Sequence, residues 1–360
     1  NIGFLPIGYY GCELVETNKA NDPFTGTFDG NGKIIHNLYI NRVDDDIPGR
    51  KGLFCYTGTS AIIKNIGLVD VNIAGYGRVG GLVGNNCGTI DNSYVTGSVT
   101  GDCNVGGLVG INESGIINKS YTFTSVSGEE CIGGLVGTNE ETINNSYATG
   151  NVTGGDCVGG LVGENYGKLT NSYATGNVLG TDEYSCVGGL VGYFDGNSIE
   201  NCIAFNSYIS GDINDTGRIV AYIDSGFDNS NYAYTDMLVN GAKVTNQSTD
   251  GINGGSILTN QFIDLNFIES DINFNAPVWD FSNVWEIKSD AVRPTLIGVG
   301  NDDGKVMQTS TTTDAELPIL NLTETEITLL EGETLNISVE ASVQDDGILS
   351  YEWFFRNEDD

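Results

Sequence analysis

Cys131, Cys157 and Cys186 each stand two residues before a Gly-Gly pair, and Cys103 stands three before one, displaced by an inserted Asn104. Thiols so regularly placed either cross-link or pack as small hydrophobes. Metal ligation is the weaker use, because the chain has no Cys-x-x-Cys pair and His36 is its only histidine. A Cys/His zinc set and a His-Glu-x-x-His peptidase motif are therefore both out of reach. Ser-His-Asp or Cys-His catalysis would also have to use His36, which lies in the strand-like run Lys33-Ile34-Ile35-His36-Asn37. The expectation is a chain that is not an enzyme.

Carboxylates accompany the thiols. Asp102, Glu130 and Asp156 each precede the cysteine of their copy, so stacked copies would bring them about 5 Å apart on one edge. That edge reads as solvated acid, as a candidate structural calcium site, or as an acid/base pair acting on polysaccharide. Asp44, Asp45 and Asp46 form a second calcium candidate. No other cofactor is expected. Eight Asn-x-Ser/Thr sequons, at Asn112, Asn118, Asn144, Asn151, Asn214, Asn246, Asn321 and Asn336, are glycosylation candidates.

The elements that must position these groups come from a repeat. Gly-Gly-Leu-Val-Gly or its near twin starts at Gly80, Gly106, Gly133, Gly159 and Gly188, at intervals of 26, 27, 26 and 29 residues. Each copy carries three short runs rich in β-branched and aromatic residues: Val79 to Gly84, Thr89 to Tyr94, and a Thr-Gly-x-Val pattern ending at Val99. No helical period competes with them. Three such strands cannot bury an apolar face alone, but stacked copies can. The expected fold is all-β: a parallel β-solenoid (β-helix) of about 26-residue, three-strand rungs. Aliphatic ladders follow: Leu82, Leu108, Leu135, Leu161 and Leu190; Ile90, Ile117, Ile143, Leu169 and Ile199; Val99, Val126, Val152 and Val178. Asn92, Asn145, Asn171 and Asn201 fall at corners where asparagine tolerates left-handed backbone.

Stacking places cysteines of neighbouring rungs inside the disulfide window of about 4.4–6.8 Å between Cα atoms. Cys103–Cys131 and Cys157–Cys186 are the simplest clamps, and Cys131–Cys157 is the competing pairing. Cys12, Cys55, Cys87 and Cys202 are left without assigned partners.

The repeated Val-Gly-Gly-Leu-Val-Gly, with Asn-Ser-Tyr-Ala-Thr-Gly-Asn-Val at Asn145 to Val152 and Asn171 to Val178, resembles the GLUG repeat of large bacterial and archaeal surface proteins. Many of those are adhesins, and some are IgA-cleaving metallopeptidases. Phe24 to Gly32 and Gly52-Leu53-Phe54 resemble the lead-in rungs such proteins carry, and Trp279 to Trp285 with Arg293-Pro294 resembles their closing segment. The resemblance spans about residues 4–298. It implies the solenoid fold and a surface protein, and its peptidase side lacks the required histidines.

Residues 1–212 read as solenoid, regular over about 51–210, and 213–300 as a capping region. Residues 301–316 read as a linker, and 317–360 as the first strands of an immunoglobulin-like or PKD-like β-sandwich around Ser350-Tyr351-Glu352-Trp353. That tail has fewer than half of the ~100 residues such a sandwich needs, so it is read as truncated or completed by another chain. Asn1 opens without a basic region before an apolar run, which reads as a mature or excised piece. With 48 acidic and 15 basic residues the formal charge is −33, which disfavours nucleic acid and anionic lipid as partners. No run of eighteen apolar residues exists for membrane insertion. The even cysteine count and the sequons suit an oxidising, extracellular cell-surface location. The function expected is adhesin-like attachment to a cell-surface glycan or protein receptor. The alternative is a subunit of an extracellular filament, hook or surface layer, in which the partner is a second copy of the chain.

Overall fold

The computed structural model describes residues 3–8, 23–43, 49–224, 230–245, 251–270 and 279–305. The sandwich expected over 317–360 lies outside the described residues, as does Asp44-Asp45-Asp46.

The repeat winds as the spacing demands. One side is a seven-stranded sheet of Phe54–Thr57, Val83–Asn86, Val109–Asn112, Val136–Asn139, Val162–Asn165, Val191–Phe194 and Val220–Ile223, every neighbouring pair parallel. The remaining strands of each turn belong to a second, 24-stranded sheet. Register follows the sequence pattern: Ile117 pairs with Ile90 and Ile143, and Val126 pairs with Val99 and Val152. Leu82, Leu108, Leu135, Leu161 and Leu190 are all fully buried. The all-β parallel solenoid is the fold of this chain.

Gly-Gly-Leu-Val-Gly is not one strand. Cys103–Gly106 ends one strand, Val109–Asn112 begins the next, and the glycine pair is the corner between them. A Cβ on Gly106 would lie 2.1 Å from the Val109 carbonyl oxygen, and one on Gly107 2.3 Å from that of Gly134. Neither position has room for a side chain. The asparagine corners are left-handed as expected, with φ of 51°, 49°, 47° and 56° at Asn92, Asn145, Asn171 and Asn201.

Two polar ladders reinforce the aliphatic ones. Thr57 donates to Asn86, and the Nδ2 atoms of Asn86, Asn112 and Asn139 donate to the Oδ1 of the next rung's asparagine at 2.9, 2.8 and 2.6 Å, ending at Asn165. All four asparagines are buried. At the next corner the amides of Ser93, Ser120 and Ser146 each donate to the following rung's serine Oγ. Each ladder satisfies polar groups that burial would otherwise strand.

The segment after residue 212 is more than a cap. Rungs continue through Val220–Ile223, Tyr232–Tyr234 and Gly255–Ile257, followed by two short helices, Thr259–Phe262 and Leu265–Ile268. Residues 279–305 then run back along the solenoid as a lateral strap. They cover a stack of tyrosine rings, Tyr94, Tyr121, Tyr147 and Tyr173, whose centroids are 4.7–5.0 Å apart. Trp279 Nε1 donates to the Asn201 carbonyl, and Tyr173 Oη donates to the Pro294 carbonyl at 2.6 Å. The fading of the repeat in this stretch reflects a chain that first adds less regular rungs and then folds against the rod's side.

Candidate functional site

The corner just before each Val/Ile-Gly-Gly is occupied by Arg78, Asn104, Cys131 and Cys157, all left-handed at φ 46°, 52°, 58° and 50°. Their successors are register partners: Val79 with Val105, Val105 with Ile132, Ile132 with Val158, Val158 with Val187. The ladder therefore runs Arg78, Asn104, Cys131, Cys157, Cys186. Cys103 is not in it. Asn104 takes its place, and Cys103, one position earlier, faces Glu130. This offset removes the geometric basis for a Cys103–Cys131 clamp.

The thiols of Cys103, Cys131, Cys157 and Cys186 are free. Burial, with the Glu164 carboxylate nearby, pushes the Cys131 thiol up. The Cys157 thiol donates to Asp156 Oδ1 at 3.4 Å, and its interaction with the Cys186 thiol pushes Cys157 up and Cys186 down. The unassigned cysteines separate by environment. Cys55 is disulfide-bonded. Cys202 follows Asn201 as the ladder serines follow their corners, and its thiol donates to the Glu200 carbonyl at 3.2 Å. Cys87 lies against Tyr56 Oη and Glu113.

Glu130 and Asp156 are register partners, as the carboxylate ladder requires. Asp102 falls out of step: its carbonyl accepts from the Glu129 and Glu130 amides, while the partner of Glu130 on that rung is Cys103. The Asp156 carboxylate is turned to its own chain and accepts the Cys157 amide at 2.8 Å. Among the described residues no three acidic, thiol or imidazole groups gather into a cation site. His36 is exposed at the end of a strand.

The sequons are unequal. Asn112 is fully buried in the amide ladder, with Nδ2 donated to Gly115 and Asn139, so no glycan fits on it in the fold. Asn118, Asn144 and Asn151 are half-buried, and the first two hold neighbouring rungs through Asp91 and Thr170. Asn214 is exposed. Asn246, Asn321 and Asn336 lie outside the described residues.

Beneath the strap, Arg293 and Asp302 pair with the tyrosine hydroxyls. Arg293 donates to Asp302 and to Tyr173 Oη, and Tyr147 Oη donates to Asp302. Both charged side chains are almost fully buried, so this network locks the strap and does not face a substrate. Sequence reasoning saw Trp279, Trp285 and Arg293 but not what they cover, because contacts more than 100 residues apart leave no local period.

Turn length varies at two places. The extra residue of the 27-residue interval falls at Glu113–Ser114, between Asn112 and Ile116, and those of the 29-residue interval fall in the stretch 181–186. In the latter, Ser185 is buried and donates to the Gly155 carbonyl, while Tyr184 stands 76% exposed.

Comparison with known proteins follows the same division. Residues 75–100, 128–153 and 154–179 match the family described as the GLUG motif. The two stretches between and after these matches, from residue 101 and from residue 180, are the ones that carry the insertions. Halomucin of Haloquadratum walsbyi (strain DSM 16790 / HBSQ001) is 40% identical over 112 residues, which is 31% of this chain and 1% of halomucin. The match thus spans about a hundredth of that relative's length. A crystal structure from Bacteroides ovatus, of a protein assigned by description as an immunoglobulin A1 protease, aligns over 75% of this chain and 76% of its own. Its identity is 18% and its TM-score 0.44, too distant to bear on activity. No helix among the described residues is long and apolar enough to cross a membrane.

Proposed function

We propose that this chain is an extracellular cell-surface protein whose solenoid is a stiff arm for attachment to a glycan or protein receptor. The observation that carries this reading is the division between an invariant rod and a variable edge. The core ladders continue from rung to rung, while the longest insertion, over 181–186, the carboxylates Glu130 and Asp156 and the exposed Tyr184 collect beside one corner. Binding surfaces of repeat proteins lie where the repeat is free to vary. The similarity to halomucin over 112 residues supports a surface role, and the acidic composition favours a neutral or cationic partner over nucleic acid.

The test is binding of the labelled, purified chain to glycan arrays and to whole cells, beside a variant in which residues 181–185 are shortened to the length found in the 26-residue rungs. Retained folding with lost binding supports attachment through this edge. A chain that binds no surface but polymerises on its own overturns the reading in favour of a filament or surface-layer subunit.

A further inference from the structure

Cys157 and Cys186 are consecutive members of the corner ladder. Their successors Val158 and Val187 are register partners, and the Val158 amide donates to the Cys186 carbonyl at 2.8 Å. Parallel neighbours in this arrangement are one strand spacing apart, about 4.8 Å, which lies within the Cα separation a disulfide spans. The Cys157 thiol donates to Asp156 Oδ1 at 3.4 Å, and the Cys186 thiol is the group that acts most strongly on it. The rival partner, Cys131, is also one rung from Cys157, but its thiol interacts with Glu164 and Thr138. Cys103 is out of register, and Cys202 is fully buried in the serine ladder. The fold already contains a disulfide at Cys55, so it is built for a setting in which such bonds persist.

We propose that Cys157 and Cys186 form an inter-rung disulfide that staples the base of the protruding 181–185 loop to the turn before it. The loop's present anchor is polar: Thr181 donates its amide to the Gly154 carbonyl at 2.8 Å, and Ser185 binds Gly155. Neither contact is covalent, and Cys186 is the next residue along. The bond would fix the Tyr184 edge without touching the core.

The step balances with a small-molecule disulfide as oxidant, such as glutathione disulfide. Cys186 is half-exposed whereas Cys157 is buried, so Cys186 attacks first. Its sulfur bonds to one sulfur of the oxidant while the other leaves as a thiolate. Cys157 then loses its proton to solvent and attacks Cys186 Sγ, expelling the second thiolate. Two protein thiols are oxidised and one small disulfide is reduced to two thiols.

The purified chain, equilibrated with glutathione disulfide, is alkylated, unfolded and digested without reduction after glutamate. Cleavage after Glu130, Glu140, Glu141, Glu164, Glu183 and Glu200 separates Cys131, Cys157, Cys186 and Cys202 into different peptides. The expected product is the 142–164 peptide joined to 184–200, with a loss of two hydrogens and with Cys131 and Cys103 alkylated. Cys131→Ser should leave that linkage intact. A Cys131–Cys157 linkage, or alkylation of both Cys157 and Cys186, overturns the proposal.

Discussion

Arg293 and Asp302 meet as a bidentate pair, Nη1 to Oδ2 at 2.6 Å and Nη2 to Oδ1 at 2.8 Å, with side chains only 1% and 4% exposed. The pair joins two points of the strap and also bonds Tyr147 and Tyr173 of the solenoid, while Asp302 Oδ1 accepts the Gly304 amide as well. Arg293→Met would leave the Asp302 carboxylate buried without its partner. Breaking a buried pair from one side costs about 3–5 kcal/mol. Because Trp279 and Trp285 of the strap pack on Tyr173, the expected signature is a red-shifted tryptophan emission that precedes loss of the far-ultraviolet β signal. Coincident loss of both signals would show that strap and rod unfold as one unit.

Much of the rod was legible in the sequence because a solenoid writes its register into its period. Ile90 and Ile117 pair because they occupy the same position in consecutive copies, and nothing else in the fold can shift them. The corner asparagines were readable for the same reason. The amide ladder through Asn86, Asn112, Asn139 and Asn165 was not read, since buried and exposed asparagines look alike in composition. Its signal was present: asparagine stands two residues after each of the first four Gly-Gly-Leu-Val-Gly copies, and Phe194 takes that place after the fifth. Cys103 shows how far spacing can be trusted. It stands one position earlier in its rung than Cys131 does in its own, with no change of register between, and that single step pairs it with Glu130 because a slip of one changes every partner. The strap lay beyond such reasoning, as its partners are set by tertiary packing.

Burial in the ladder decides which sequons accept a glycan after folding. Asn112 has no exposed surface, whereas Asn214 is open to solvent. In a glycosylating host, mass spectrometry of glycopeptides is expected to find Asn214 occupied and Asn112 bare. A glycan at Asn112 would mean that modification precedes and disrupts the amide ladder. The same ladder gives a stability test: Asn139→Ala strands the Asn112 Nδ2 donor and the Asn165 acceptor, each worth about 1–3 kcal/mol. Chemical denaturation should report the sum as a lowered midpoint.

The tyrosine stack makes the fold sensitive to alkali. Burial pushes the Tyr121, Tyr147 and Tyr173 hydroxyls above the ordinary value of about 10. The folded state therefore holds protons that the unfolded chain releases. Stability is intact below the unfolded value and falls as pH rises through it toward the higher folded values. Absorbance near the phenolate band should show the exposed tyrosines titrating gradually, followed by a cooperative step that coincides with unfolding. Smooth ionisation of all 17 tyrosines near pH ~10 without unfolding would contradict the burial seen here.

The glycine corner offers the sharpest test of the winding. A Cβ at Gly134 would fall 2.2 Å from the Gly160 carbonyl oxygen and 2.9 Å from Ala148 Cβ, and the oxygen belongs to the neighbouring rung's backbone. That backbone cannot yield without lengthening the hydrogen bonds that join the rungs. Overpacking of this kind costs about 1–3 kcal/mol, and more where backbone must move. Gly26→Ala is the matched control: its nearest neighbour would be the Phe24 ring at 3.4 Å, ordinary contact. Gly134→Ala should therefore lower the thermal midpoint by several degrees while Gly26→Ala leaves it unchanged. Hydrogen exchange in the Gly134 variant should accelerate first in the Val136–Asn139 and Val162–Asn165 strands, which pair directly beside the corner. Equal, small effects from the two substitutions would mean that the corner relaxes freely, and that the glycine pair is not what sets the stacking distance.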